Sequence, residues 1–313
     1  MRWIETKHMD SPPFRSQKYP GISAGFTLAE MLVAISVLAL LTAFMGQMLT
    51  SSSALVSLNG KHMDADAQAR GMLDRFAIDL GQVVKRSDAS YYLKDSVTTV
   101  QSGNDQLAFF SVVPGYSSGS PVPATPSPIS LVAYRVNSTT MGMERMGKGL
   151  IWNGATGTNT PVVFLPMTIQ GVWPQATNMS TDSNYESIAP GIFRFEYYYF
   201  LKEQTLPSGT QEPAILSSTP WDTRMNHTAV NGMSDVAAIG VAIAVVDPAS
   251  RNLVSNAQLT TLAGQMNDFA ATMQPGQLET QWTSAIAASS LPHAASSSIR
   301  VYGRMFYLSP SIQ

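Results

Sequence analysis

The sequence predicts an α+β protein: a long N-terminal helix, its first half membrane-spanning, packed on a globular head of antiparallel β-sheet. Three observations carry this. After Gly25 the chain runs apolar to Leu49 with a single charge, Glu30, and about 20 such residues cross a hydrocarbon core as one helix. From Thr50 the composition turns to Ser, Ala and charge, while helix-compatible residues continue to about Arg86. Beyond Asp88, short apolar or alternating runs are bounded by Gly, Pro, Asn and Ser, the pattern of strands and turns.

Ahead of the span, residues 1–25 carry a net charge of +2 and contain Pro12, Pro13, Pro20, Gly21 and Gly25. Such a stretch stays extended, and its positive charge keeps it cytoplasmic. Everything beyond the span is then outside. A secretory signal peptide has a shorter apolar core, roughly 7–15 residues, with its cleavage site after that core; the run here is longer. Met1 and Met9 are both candidate starts. Within the span, Ala34, Ser36, Ala39, Thr42, Ala43 and Gly46 are small enough to let membrane helices approach closely.

Glu30 is the anomaly of the span. A charge inside a membrane segment is expensive and rarely stands without a partner. Here the residues resemble a family: Gly25-Phe26-Thr27-Leu28-Ala29-Glu30 resembles the processing signal of type IV pilins and type II secretion pseudopilins. The resemblance implies that a prepilin peptidase cleaves after Gly25 and N-methylates Phe26, with Thr27 and Leu28 completing the processing motif. It implies that Glu30 faces the Phe26 ammonium of a neighbouring subunit and sets register. It also implies the partners: the peptidase, other pilin-like subunits, an inner-membrane assembly platform and the lipid bilayer; the residues themselves call for no cofactor and no metal. The competing reading is an uncleaved signal anchor that contains one Glu.

This divides the chain into a cytoplasmic leader (1–25), a transmembrane helix (26–49), a periplasmic helical spine (50–88) and a periplasmic α+β head (89–313). In the spine, Leu73, Phe76, Leu80 and Val84 recur at helical spacing beside Met72 and Ala77. Opposite them, Asp74, Arg75, Asp79, Gln82 and Arg86 read as a solvated face, with Arg70/Asp74 and Arg75/Asp79 spaced for weak i,i+4 pairing. The segment from Met72 to Arg86 resembles the spine of the J-type minor pseudopilins, as does the order of strands near Leu107, Val132 and Phe195.

In the head, strands are predicted at 107–113, 129–136, 150–153, 162–165, 192–201, 236–246 and 299–308. In 192–201, Phe193, Phe195, Tyr197, Tyr199 and Leu201 alternate with Arg194, Glu196 and Tyr198, which makes this a central strand with one strongly apolar face. The run 236–246 is apolar throughout but too short to span a membrane, and reads as a buried strand. Ser255 with Gln258 is a capping-box signature, opening a helix through Leu262, Met266 and Phe269. A second short helix carries Leu278, Trp282 and Ile286. The last strand puts Arg300, Tyr302, Arg304 and Phe306 on one face. Segments 114–130, 153–161, 173–191 and 206–223 read as surface loops.

Composition excludes several functions. The chain has 313 residues, one or two domains in length, with a net charge of −2 and no cysteine. Without the leader the balance is 15 basic and 19 acidic residues, net −4, so no nucleic-acid binding is expected from charge. Adhesive type IV pilins usually close a C-terminal loop with a disulfide, so the missing cysteines favour the pseudopilin side of the resemblance. Gly115-Tyr116-Ser117-Ser118-Gly119 matches a nucleophile elbow, but Ser120-Pro121-Val122-Pro123 cannot open the helix that motif needs. His8, His62, His227 and His293 lack metal-ligand spacing, and Asp64 with Asp66 forms no calcium loop.

The resulting expectation is a noncatalytic minor pseudopilin-like subunit of a type II secretion-like pseudopilus, single-pass in the inner membrane with its head in the periplasm. The rivals are a minor pilin of a type IV pilus or DNA-uptake apparatus, which requires a basic patch, and a membrane-anchored periplasmic enzyme, which requires convergent titratable groups. Gly46 weakens the helix by about 1 kcal/mol relative to Ala and is the expected point of local unwinding when subunits pack. Gly46→Ala should therefore reduce co-assembly with sibling subunits; unchanged assembly rules the unwinding out.

Overall fold

Helix α1, Leu28–Gly81, runs 54 residues without interruption, passing through Gly46 and Gly60. The computed structural model describes residues 25–85, 103–115, 128–149, 185–206, 208–229 and 231–308. The expected strands at 150–153 and 162–165, the leader before Gly25 and most of the 115–119 motif lie outside them. The chain divides into two compact units between Leu55 and Val56. In the first unit every described residue is exposed. In the second, Ala65, Ala69, Met72, Leu73, Phe76 and Leu80 of α1 are buried.

The helix stops at Gly81 rather than continuing to Arg86, because the next residues are used by a sheet. Strand β1 is Gln106–Ser111. Val83 bridges to Ser111, the Val84 amide donates to Phe110 O at 2.8 Å, and the Val112 amide donates to Gln82 O at 2.9 Å. A backbone committed to a strand edge cannot also continue the helical ladder.

β1 opens a four-stranded antiparallel sheet with β2 (Ser130–Val136), β3 (Met143–Gly149) and β4 (Tyr185–Ala189), in that order. β3 and β4 were not expected from the sequence. β3 reads Met-Glu-Arg-Met-Gly-Lys-Gly and β4 is five residues long, so neither shows an apolar alternation. The second sheet contains β5 (Ile192–Leu201), β8 (Ile215–Ser217), β9 (Val236–Val245) and β10 (Arg300–Tyr307), ordered β10-β9-β5-β8 and also antiparallel. Between β5 and β8, β6 (Gln204–Thr205) and β7 (Gln211–Glu212) form a small separate ladder. Among the described residues the strands of the head thus form two four-stranded antiparallel sheets and the small ladder.

Two side chains stitch the sheets together. Asn104 Oδ1 accepts from the Phe195 amide and its Nδ2 donates to Phe193 O. Asp105 accepts from the Tyr197 amide, while its own amide donates to Phe195 O. The residues leading into β1 therefore satisfy part of the free edge of β5 that short β8 leaves open.

The second half of α1 packs on both sheets. Phe76 meets Tyr134 and Phe306 edge-on, with ring centroids 5.0 and 4.9 Å apart. The opposite face of the second sheet is covered by helices. After α2 (Pro248–Arg251), capped by Asp247, come α3 (Asn256–Gln265), α4 (Gln277–Ala287) and α5 (His293–Ser296). This explains why β9 lacks alternation: Ile239, Val241, Ile243 and Val245 join the core under α1, while Ala242, Ala244 and Val246 join the core under the helices. A strand buried on both faces reads as a continuous apolar run. β5 is likewise buried on both faces, with Arg194 and Glu196 inside. Arg194 donates to Met266 O and pairs with Asp268 at 2.5 Å, over the Trp282 ring.

The capping box is present in both directions: Gln258 N–H donates to Ser255 Oγ at 3.2 Å, and Ser255 N–H to Gln258 Oε1 at 2.9 Å. α3 nevertheless ends at Gln265, short of Phe269. Met266 turns extended, and Asn267 O accepts from Trp282 Nε1 at 2.7 Å.

The solvated face expected on the spine needs one correction. Asp79 is fully buried. It accepts from Arg145 of β3 at 2.5 and 3.0 Å and from Tyr134 of β2 at 2.5 Å, and its carbonyl accepts from Ser111 at 2.7 Å. Burial and the neighbouring Asp79 charge push the Tyr134 hydroxyl far above its usual range, so it stays a donor. Asp74, by contrast, is exposed and meets Arg304 at 2.7 Å.

Breaking a buried pair by removing one partner costs about 3–5 kcal/mol, because the other charge is left uncompensated. Asp79→Ala should lower unfolding free energy by an amount in that range in denaturant titrations followed by tryptophan fluorescence. Asp79→Leu with Arg145→Met should recover most of the loss; an equally unstable double variant contradicts the assignment.

Candidate functional site

The residues singled out by sequence lie at the start of α1. Gly25, Phe26 and Thr27 precede the helix outside regular structure. Phe26 and Leu28 are 85% and 82% exposed, and among the described residues nothing beyond its chain neighbours lies within 4 Å of a Cβ placed on Gly25.

Thr27 and Glu30 are brought together. The Thr27 amide donates to Glu30 Oε2 at 2.9 Å and the Thr27 hydroxyl donates to the same atom at 3.0 Å. In return, the Glu30 amide donates to Thr27 Oγ1 at 3.3 Å. The Thr27 carbonyl accepts from the Met31 amide at 3.2 Å. This is a capping box, which satisfies two of the amides that a helix start leaves open. The carboxylate also sits where the helix dipole favours negative charge. The sequence reading gave Glu30 only an intermolecular partner. The Thr-x-x-Glu spacing before an apolar run was the signal that would have supplied this local one. Both donors converge on Oε2, leaving Oε1 unpartnered among the described residues.

Further along, each hydroxyl of the apolar half bonds back to its own helix. Ser36 donates to Leu32 O and Val33 O, Thr42 to Leu38 O and Ala39 O, and Thr50 to Gly46 O and Gln47 O, all at 2.9–3.1 Å. In a hydrocarbon medium an unsatisfied polar group is costly, so internal bonding of this kind suits a lipid-facing helix. α1 is long and apolar enough near its N-terminus to cross a membrane by length and composition. Its large apolar side chains there, including Leu32, Ile35, Leu38, Leu41, Phe44 and Met48, are at least half exposed.

A catalytic alternative needs convergent titratable groups. Among the described residues, no group of three or more His, Cys, Asp or Glu could hold a metal ion. One polar cluster joins Asp222, Arg224, His227 and Asp235. Arg224 bonds Asp222 at 2.7 Å, the Asp222 amide donates to Asp235 at 2.8 Å, and His227 Nδ1 lies 2.7 Å from the same Asp235 oxygen. Hydrogen bonding from Arg224 holds the Asp222 carboxyl below the usual carboxylate range. Asp222 also caps the short turn that follows it. These groups consume one another in fixing a loop.

No protein-family model matches the sequence, and no curated protein does. Among solved structures, the chain is similar to one from the crystal structure of a binary complex of two pseudopilins of the type 2 secretion system of Vibrio vulnificus. The identity is 11%, the match covers 60% of this chain and 87% of that one, and the TM-score is 0.32.

Loss of an N-cap side chain costs about 1 kcal/mol. Thr27→Val in detergent micelles should therefore raise amide hydrogen exchange selectively in the first turn of α1, and Thr27→Ser should restore protection. Equal protection in all three proteins contradicts the capping box.

Proposed function

We propose that this chain is a noncatalytic, pilin-like membrane subunit, matured by a prepilin peptidase and assembled into a fibre through its N-terminal helix. One observation carries the reading. The sequence Gly25-Phe26-Thr27-Leu28-Ala29-Glu30 is exposed at the start of a helix of membrane-spanning length, with Gly25, Phe26 and Thr27 outside regular structure and Leu28, Ala29 and Glu30 in the first turn. In this reading, cleavage after Gly25 releases Phe26 as the new N-terminus, which is then methylated. Residues 26–49 span the inner membrane, and the spine and head lie in the periplasm. The more specific form is a minor subunit of a type II secretion-like pseudopilus, of the J type.

The mechanism is physical. Thr27 holds the Glu30 carboxylate at the helix start through Oε2, which leaves Oε1 for a second donor. The Phe26 ammonium of a neighbouring subunit pairs with that oxygen. Lipid surroundings strengthen the pair and make a missing partner costly, so subunits in the wrong register are disfavoured. Close approach of the helices relies on Ala34, Ala39, Ala43 and Gly46, whose small side chains let backbones pack.

Glu30→Ala is expected to insert and be processed normally, yet to lose co-purification with sibling pilin-like subunits after cross-linking in cells. Full co-assembly by this variant contradicts the pairing.

A further inference from the structure

Strand β10 ends one side of the second sheet and pairs with β9 alone among the described residues. In an antiparallel ladder, residues that bond the neighbouring strand alternate with residues whose amide and carbonyl point the other way. The Leu308 amide donates to Ala237 O, so the backbone groups of Phe306, Arg304, Tyr302 and Arg300 face β9. Those of Val301, Gly303, Met305 and Tyr307 then point outward. Among the described residues these outward groups have no hydrogen-bond partner. The pairing with β9 runs eight residues with no bulge, and β10 contains no proline. Exposed edges are usually short, bulged or interrupted, because a long regular one is a template for another strand.

The edge has a second wall. α4 runs alongside β10 in the opposite direction, and the two elements share two cavities. One, of about 590 Å³, lies beside 299–302 with Thr283 and Ile286; the other, of about 290 Å³, lies beside 303–307 with Gly276 and Glu279. Their chemistry differs. The first is lined by Arg300, His293 and Ser297 and, among the described residues, by no carboxylate. Arg300 is exposed and forms no ion pair among the described residues; it meets the Tyr302 hydroxyl, which itself donates to Asp66. The second is lined by Tyr198, Phe200, Leu216, Met305 and Tyr307. Of its two charged residues, Arg304 is committed to Asp74 at 2.7 Å, and Glu279 Oε2 is enclosed.

We propose that an extended segment of another protein adds to the open edge of β10, antiparallel and beside α4, as a further strand of the second sheet. The row of outward amides and carbonyls selects this occupant, because an extended backbone supplies acceptors and donors at the same repeat. Alternate side chains of the added strand point to the α4 side. There an acidic residue opposite Val301 enters the cavity lined by Arg300 and His293, where the charges are complementary. An apolar residue four positions away, opposite Met305, lies against the aromatic cavity. A second copy of this chain fits less well. The two-fold pairing of β10 with β10 that uses all four outward residues sets Arg304 directly opposite Arg304, and like charges so placed destabilise a ladder. The inference concerns the head alone and is independent of how the N-terminus is processed.

The test uses the full chain in micelles and a capped seven-residue peptide in which threonine alternates with phenylalanine, valine and aspartate, in that order. Amide hydrogen exchange at Val301, Gly303, Met305 and Tyr307 should slow saturably, with a dissociation constant on the order of 0.1 mM. N-methylation of the peptide's valine, whose amide faces β10, should abolish the effect, and N-methylation of a threonine should not. Arg300→Gln should weaken binding about fivefold, and lysine in place of the peptide's aspartate should weaken it further. No saturable slowing overturns the proposal, as does equal binding by the N-methylvaline or lysine peptide or by Arg300→Gln. Protection of the four amides before peptide is added, constant or rising with protein concentration, shows the edge closed by this chain or a second copy and also overturns it.

Discussion

The unbroken backbone ladder of α1 is the constraint on which the rest depends. Helix α1 satisfies its peptide groups internally over 54 residues, so its surroundings can change along its length without leaving backbone groups orphaned. The side chains record that change. Up to residue 57 they are exposed, and the large ones are Leu, Ile, Val, Met and Phe. From Ala65 onward one stripe is buried, with Phe76 and Leu80 among the core of the head. An exposed apolar surface of this extent asks for lipid or for other helices, whereas the buried stripe has its partner within the chain.

Within the head, α1 is held by polar groups as well as by packing. Asp79 reaches β2 and β3 through Tyr134 and Arg145, Asp66 meets Tyr302, and Gln68 accepts from the Gly191 amide at 2.8 Å. These contacts are directional, so they fix the rotation of the helix on the sheets where apolar contact alone tolerates sliding. The second sheet then serves two cores at once. In β9, Ile239, Val241, Ile243 and Val245 join the core under α1, and Ala242 and Ala244 join the core under α3 and α4.

Much of this was legible in the sequence. Uniform apolarity after Gly25, the apolar stripe of Leu73, Phe76 and Leu80, the alternation of 192–201 and the Ser255/Gln258 pair each report a local rule that the fold obeys. The failures are equally physical. Asp79 looked solvated because helical spacing shows which face a residue occupies but not that two later strands bring Tyr134 and Arg145 onto it. β3 was missed because its strand character comes from pairing with β2 and β4, not from its own residues. The Thr27/Glu30 box was readable by spacing alone, but Glu30 invites attention as a membrane charge before it is read as a cap.

The central claim is that the segment around Gly25 is a processing site joined to a membrane helix. Intact-mass and N-terminal peptide analysis of the protein recovered from membranes, in cells with and without a prepilin peptidase, tests it most directly. The account requires a chain beginning at N-methylated Phe26 when the peptidase is present and a chain retaining its leader when it is absent. A leader retained in both contradicts it and leaves Glu30 serving only its own helix.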